Sequence, residues 1–180
     1  MNNMIKLPLF LGIVGASCGV VLAGVNALAA PIIAQNEIDA ANAAYIKLFE
    51  KYSVDSDDIT IKEVSIPEAN CTTKAIIKND KVDGVAYTCE AKGYAGPIKF
   101  QIGFANGAYH GYIDLANTES KVGIIPKLEA GVINGIDANE SLLSNSTYKT
   151  AYAGTTVSAK AIAKAIEACR LDYIASLSAE

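Results

Sequence analysis

The sequence predicts an α+β fold, with one N-terminal transmembrane helix followed by a domain whose antiparallel sheet is packed by terminal helices. Three observations lead to this prediction: an uncharged apolar run near the N-terminus, short β-rich runs separated by turn residues, and a helical periodicity at the end. The 180 residues suffice for one ordinary domain plus a small extra element. We therefore assign residues 1–34 to the anchor and residues 35–180 to the domain.

The apolar run has no charged residue from Leu7 to Ala34. Its 28 positions correspond to about 42 Å of helix, whereas about 20 residues cross a membrane. The alternatives are a cleaved signal peptide, whose apolar core has about 7–15 residues, and a lipoprotein signal with its lipid on Cys18. The length of the run favours an uncleaved anchor. Lys6 is the only charged side chain before it, so the positive-inside rule places the N-terminus in the cytoplasm and the domain outside.

Small residues along this run predict a helix partner. Gly15 and Gly19 form a G-x-x-x-G pattern, which lets another membrane helix approach closely. The alternative is that glycine and alanine are simply common in membrane helices, and the pattern alone does not decide between the two.

The composition excludes several classes of function. A net charge of −4 argues against a nucleic-acid partner, because such proteins need a basic surface. There is no G-x-S-x-G, P-loop or H-E-x-x-H motif, and His110 is the only histidine, so neither hydrolysis nor a metal centre is indicated. Outside the cell, Cys71 and Cys89 could form a disulfide; the alternative is that these cysteines are buried free thiols.

The domain begins with an amphipathic helix over 36–52, which continues from the anchor, and ends with a helix over 156–177. Between them the sequence predicts an antiparallel meander with one buried face, followed by a short helix within 124–135. The predicted strands are 59–65, 73–78, 84–91, 98–104 and 108–115. Asn106-Gly107 is a strong signal for a hairpin turn between the last two strands.

One segment, just before the last helix, contains residues that could form a functional site. Gly154 permits a positive φ, and Thr155, Thr156 and Ser158 stand where the helix starts. Unpaired N–H groups and the positive end of the helix dipole make a helix start a natural anion site, and a hydroxyl there could carry a phosphate covalently. The alternative is an ordinary threonine N-cap.

Four short segments, taken in their order along the chain, resemble those of a known protein family. They are Ala-Pro-Ile-Ile-Ala-Gln-Asn-Glu (30–37), Gly-Tyr-Ala-Gly-Pro-Ile (93–98), Asn-Thr-Glu-Ser (117–120) and Gly-Thr-Thr-Val-Ser (154–158). Over essentially its whole length, the chain resembles the FMN-binding G subunit of the Rnf electron-transport complex. That subunit is a relative of the C subunit of the sodium-pumping NADH:quinone oxidoreductase.

The resemblance implies an FMN-binding domain in which FMN is attached covalently, through its phosphate, to the side chain of Thr156. Ala153, Thr155 and Thr150 differ from the residues that the family's attachment motif has at these positions, whereas the family's loop glutamate is kept as Glu119. The implied cofactor-binding residues are Thr156, Gly154, Thr155, Ser158, Tyr94 and Glu119.

The function that the resemblance implies is that of a membrane-anchored electron carrier in an Rnf-type complex, which couples ferredoxin oxidation and NAD reduction to ion movement. The implied partners are the integral membrane subunits of that complex and a flavin transferase for maturation. Two alternatives stay open: a stand-alone extracellular flavoprotein that passes electrons to soluble acceptors, and a structural subunit without flavin.

Overall fold

The computed structural model describes residues 3–118, 123–152, 154 and 156–178. The helices are α1 (Asn3–Leu48), α2 (Ile124–Glu129), α3 (Ser146–Ala151) and α4 (Thr156–Leu177). The strands are β1 (Ile59–Ile66), β2 (Cys71–Asn79), β3 (Val82–Lys92), β4 (Pro97–Ala105) and β5 (Ala108–Asn117). Short 3₁₀ turns cover Glu50–Tyr52, Ser56–Asp58 and Pro67–Ala69.

The predicted transmembrane helix over 1–34 needs correction. Within the described part of the chain, no helix combines the length and the apolar character that crossing a membrane requires. The prediction of a helix here is confirmed, but the prediction that it spans a membrane is wrong.

The chain divides into two compact units, one ending at Ala40 and the other starting at Ala41. The second unit contains the sheet, whose strands are paired in the order β1-β2-β3-β4-β5, each antiparallel to the next. All five predicted strands lie within observed ones, so the predicted meander is confirmed. Asn106 and Gly107 have φ of 52° and 76°, the left-handed geometry that a tight hairpin turn requires.

Both faces of the sheet are covered, so the prediction of a single buried face is wrong. On one face, apolar residues of α2 and α4 pack with strand residues that include Phe100 and Ile102, and together they form the larger apolar cluster. The other face receives Tyr45, Leu48 and Phe49, which pack with small or apolar strand residues. This second core forms because three glycines, Gly84, Gly103 and Gly111, leave a groove. A Cβ on any of them would come within 2.8 Å of Leu48 or Phe49.

α4 is held to the sheet by Asp172, whose carboxylate accepts hydrogen bonds from Lys74 Nζ at 2.7 Å and from the Tyr87 hydroxyl at 2.6 Å. Burial alone would raise the pKa of Asp172, but these two bonds outweigh burial and lower it. α3 was not predicted from the sequence. The helix expected within 124–135 is α2, which ends at Glu129.

All four cysteines are free thiols, and Cys71, Cys89 and Cys169 are buried. The Cys71–Cys89 disulfide is therefore not formed, and the alternative of buried free thiols is confirmed.

Candidate functional site

The candidate site is built on the first turn of α4. α4 begins at Thr156, as the periodicity predicted, and runs for 22 residues. Thr156 is exposed, whereas Ser158, two residues further, is only 5% exposed. The first amides of a helix have no partner within it and lie at the positive end of its dipole. An exposed hydroxyl therefore stands beside a region that favours an anion.

Gly154 turns the chain into α4. Its φ is +94°, a left-handed conformation that glycine adopts without strain. A Cβ added to it would meet no atom within 4 Å, so the backbone conformation, rather than lack of space, favours glycine here. Two other residues of the predicted attachment segment, Ala153 and Thr155, lie outside the described residues.

A hydrogen bond joins the turn at 93–97 to α4. The backbone N–H of Tyr94 donates to Ser158 Oγ at 3.0 Å, and the N–H of Gly93 closes the turn on the carbonyl of Gly96 at 2.8 Å. The structure thus brings together two segments that are about sixty positions apart in sequence. The Tyr94 side chain is 83% exposed, so it is available for contact rather than used in packing.

A third predicted segment adjoins this turn. A Cβ on Gly96 would lie 2.5 Å from Thr118 Oγ1, so Thr118, the residue after β5, lies against the 93–97 turn. Asn117 pairs with Ile98 across β4 and β5, which fixes the place where β5 ends. Glu119, the predicted loop contact, lies outside the described residues.

Behind the first turn of α4, α3 provides a support that sequence reasoning missed. The buried hydroxyl of Tyr148 donates to the carbonyl of Ala159 at 2.7 Å, and burial raises the pKa of that phenol. The side chain of Asn145 caps α3 by accepting a hydrogen bond from the Tyr148 N–H at 2.9 Å. An Asn-Ser-Thr sequence signals such a cap, but six residues are too few for a visible helical period.

An open pocket lies beside α3. Its volume is about 560 Å³, within the usual range of ligand pockets, about 300–1,000 Å³. The lining residues are Lys127, Val132, Ser146, Thr147, Thr150 and Ala151. Lys127 Nζ donates to the carbonyl of Ala151 near the end of α3, and it is the cationic group among these lining residues. The pocket therefore has a mixed lining of three hydroxyl side chains, two apolar side chains and one positive charge.

Comparison with known proteins adds no family to this description: no family model matches the chain, and no curated protein matches it. The fold and the site define an α+β domain with an exposed threonine at the start of a helix and, in the same helix, a buried serine that accepts a hydrogen bond from the backbone of an exposed tyrosine.

Replacing Ser158 by alanine is expected to detach the 93–97 turn from α4. The Tyr94 N–H loses its acceptor, and such a loss costs about 1 kcal/mol. The measurement is amide hydrogen exchange, in which the Tyr94 amide of Ser158→Ala should exchange faster than in the unmodified chain. Ser65→Ala, at an exposed position of β1, is the control and should leave that rate unchanged. Equal Tyr94 exchange in all three proteins would contradict the assigned role.

Proposed function

We propose that this protein is a flavoprotein electron carrier in which FMN is bound covalently, as a phosphoester, to Thr156. The observation that carries the proposal is the exposed threonine at the first position of α4, next to a turn that presents an exposed tyrosine. The family resemblance described above supports the same assignment, because Thr156 occupies the attachment position.

The helix start suits a phosphoester. A phosphodiester keeps a negative charge, and the N-terminus of α4 would stabilise it by about 0.3–1 kcal/mol. The exposure of Thr156 leaves its hydroxyl open to a flavin transferase. Joining the phosphate of FMN to the hydroxyl forms a phosphoester and releases one water equivalent. Because this bond is covalent, the cofactor cannot diffuse away from the protein.

The surrounding residues suit the rest of the cofactor. When bound, FMN supplies the electron chemistry, and the protein binds and orients it. The exposed ring of Tyr94 offers an aromatic face for stacking, and Ser158 holds that residue at the helix start. Gly154 leaves open space on the approach to Thr156.

From the same resemblance we infer the partners: the integral membrane subunits of an Rnf-type complex that couples ferredoxin oxidation and NAD reduction to ion movement. The domain would act on the extracytoplasmic side, after maturation by a flavin transferase. In that setting the chain relays electrons and has no substrate of its own.

The test compares the full-length chain with two variants, each co-expressed with a flavin transferase. We expect the unmodified chain to gain the mass of FMN less one water and to fluoresce as a flavin in denaturing gels. Thr156→Val removes the hydroxyl at nearly constant volume and should lose both signals. Thr60→Val makes the same change at an exposed position of β1 and should keep them.

Each possible result has a distinct meaning. An unmodified chain that carries no flavin would overturn the covalent assignment and leave a structural subunit. Flavin that persists in Thr156→Val would place the attachment elsewhere. A flavinylated chain that never co-purifies with integral membrane proteins, and that reduces soluble acceptors alone, would instead identify a stand-alone flavoprotein.

A further inference from the structure

Three buried thiols from distant parts of the sequence meet in the core. Cys71 begins β2, Cys89 lies in β3 and Cys169 lies in α4. The three sulfur atoms are all within 4.8 Å of one another, and Sγ of Cys89 is 3.2 Å from Sγ of Cys169. None of the three residues is more than 2% exposed. We call these residues the thiol cluster.

The donors of the thiol cluster are soft and few. All three donors are sulfur atoms. Among the described histidines, cysteines, aspartates and glutamates, these three are the one group close enough together to share a metal ion. A structural zinc site has four ligands, and an iron–sulfur cluster also uses four cysteines. Magnesium and calcium prefer oxygen. Three sulfurs without a fourth ligand suit a soft ion of low coordination number, and thiolates select monovalent copper.

The spacing also fits one ion. With metal–sulfur bonds of about 2.3 Å, three sulfurs placed trigonally around an ion lie about 4.0 Å apart. The sulfur atoms of Cys89 and Cys169 are 3.2 Å apart, and no two of the three are more than 4.8 Å apart. Small side-chain movements would therefore bring all three sulfurs to bonding distance of one ion. Because the cluster belongs to the larger apolar core, water cannot readily compete as a ligand.

The geometry points to a binding site for one monovalent copper ion, held by the sulfur atoms of Cys71, Cys89 and Cys169. Binding exchanges protons for the cation: each thiol that becomes a thiolate ligand releases one proton to solvent. No electron is transferred, because copper enters and stays in the monovalent state. This site is independent of the flavin proposed on Thr156.

The test is an anaerobic titration of the reduced full-length chain with monovalent copper, in competition with a chromophoric copper chelator. We expect one copper ion per chain. Each of the variants Cys71→Ser, Cys89→Ser and Cys169→Ser should weaken binding by more than about tenfold, the smallest cost usually seen for losing even an outer-shell partner. Cys18→Ser, which changes the exposed cysteine outside the cluster, is the matched control and should bind as the unmodified chain does.

A second measurement avoids dependence on variants that fail to fold. X-ray absorption of the copper-loaded unmodified chain should show sulfur-only coordination with three ligands. Nitrogen or oxygen ligands, or no copper retained against the chelator, would overturn the site. Preferential one-to-one binding of zinc would overturn the choice of ion. A mass two hydrogens lower without bound metal would show a disulfide between two of the thiols and would overturn the copper site.

Discussion

Replacing Phe49 by alanine is expected to lower the free energy of unfolding by about 3–5 kcal/mol, the usual cost of removing a buried phenylalanine. Phe49 is fully buried, and its ring lies in the groove formed by Gly84 and Gly103, where added Cβ atoms would come within 2.7 and 3.3 Å of ring carbons. The floor of this groove is strand backbone, which cannot move in to fill the space. The cavity should therefore persist, and chemical denaturation would measure its cost.

The ring of His110 gives an independent measure of the same change. It stacks on Phe49 with 4.8 Å between ring centroids, and burial lowers the pKa of His110. In Phe49→Ala the imidazole should gain solvent, and its pKa should rise toward the ordinary value of about 6.5. Because His110 is the only histidine, an NMR titration reports this directly.

Tyr94→Ala is the matched control for Phe49→Ala. It also removes an aromatic ring, but from a side chain that is 83% exposed, so its effect on stability should stay within about 0.5 kcal/mol. If both variants unfolded at the same denaturant concentration, the groove would not be the source of stability that we describe.

Local patterns were enough to predict the sheet and the last helix. Alternation of apolar residues over 98–104 and the Asn106-Gly107 turn follow directly from the geometry of a hairpin. The second core could not be predicted in this way. Gly84, Gly103 and Gly111 lie on three strands, and only the pairing of those strands brings them together as one groove. A glycine in a strand signals close approach, but the sequence does not say what approaches.

The candidate site was also predictable only where it depends on local sequence. Gly154 and the start of α4 are local features, and each occurs where the sequence placed it. The hydrogen bond between Tyr94 and Ser158 depends on tertiary structure. Only the family resemblance predicted that both residues belong to one cofactor-binding site. The thiol cluster has no local signal, since its members are 18 and 80 residues apart.

The transmembrane prediction shows what hydropathy alone does not establish. The long apolar run over 7–34 has no strand-like alternation, and such a run favours a helix. The structure has a helix there. A membrane span requires in addition a continuous apolar helix of sufficient length, and the described residues do not provide one.

Removing the charge of Glu167 is expected to lower the free energy of unfolding by about 1.5–3 kcal/mol, the cost of losing a hydrogen bond between charged groups. Glu167 pairs with Arg170 one turn along α4, and the two side chains are only 20% and 9% exposed. The other end of the guanidinium donates to the carbonyl of Ala138 at 2.9 Å, which ties the loop after α2 to α4. In Glu167→Ala the buried arginine loses its charged partner. Losing a hydrogen bond between charged groups costs about 1.5–3 kcal/mol, and the partial exposure of Glu167 keeps the expected loss below that of breaking a fully buried pair.

The chain offers a matched exposed pair for comparison. Lys78 and Asp83 are 3.4 Å apart with side chains 70% and 58% exposed, so Asp83→Ala should cost at most about 1 kcal/mol. The double variant Glu167→Leu/Arg170→Met removes both buried charges and should be more stable than Glu167→Ala, because no isolated charge remains. If Glu167→Ala and Asp83→Ala gave equal losses in chemical denaturation, the burial of the Glu167–Arg170 pair would have no energetic consequence.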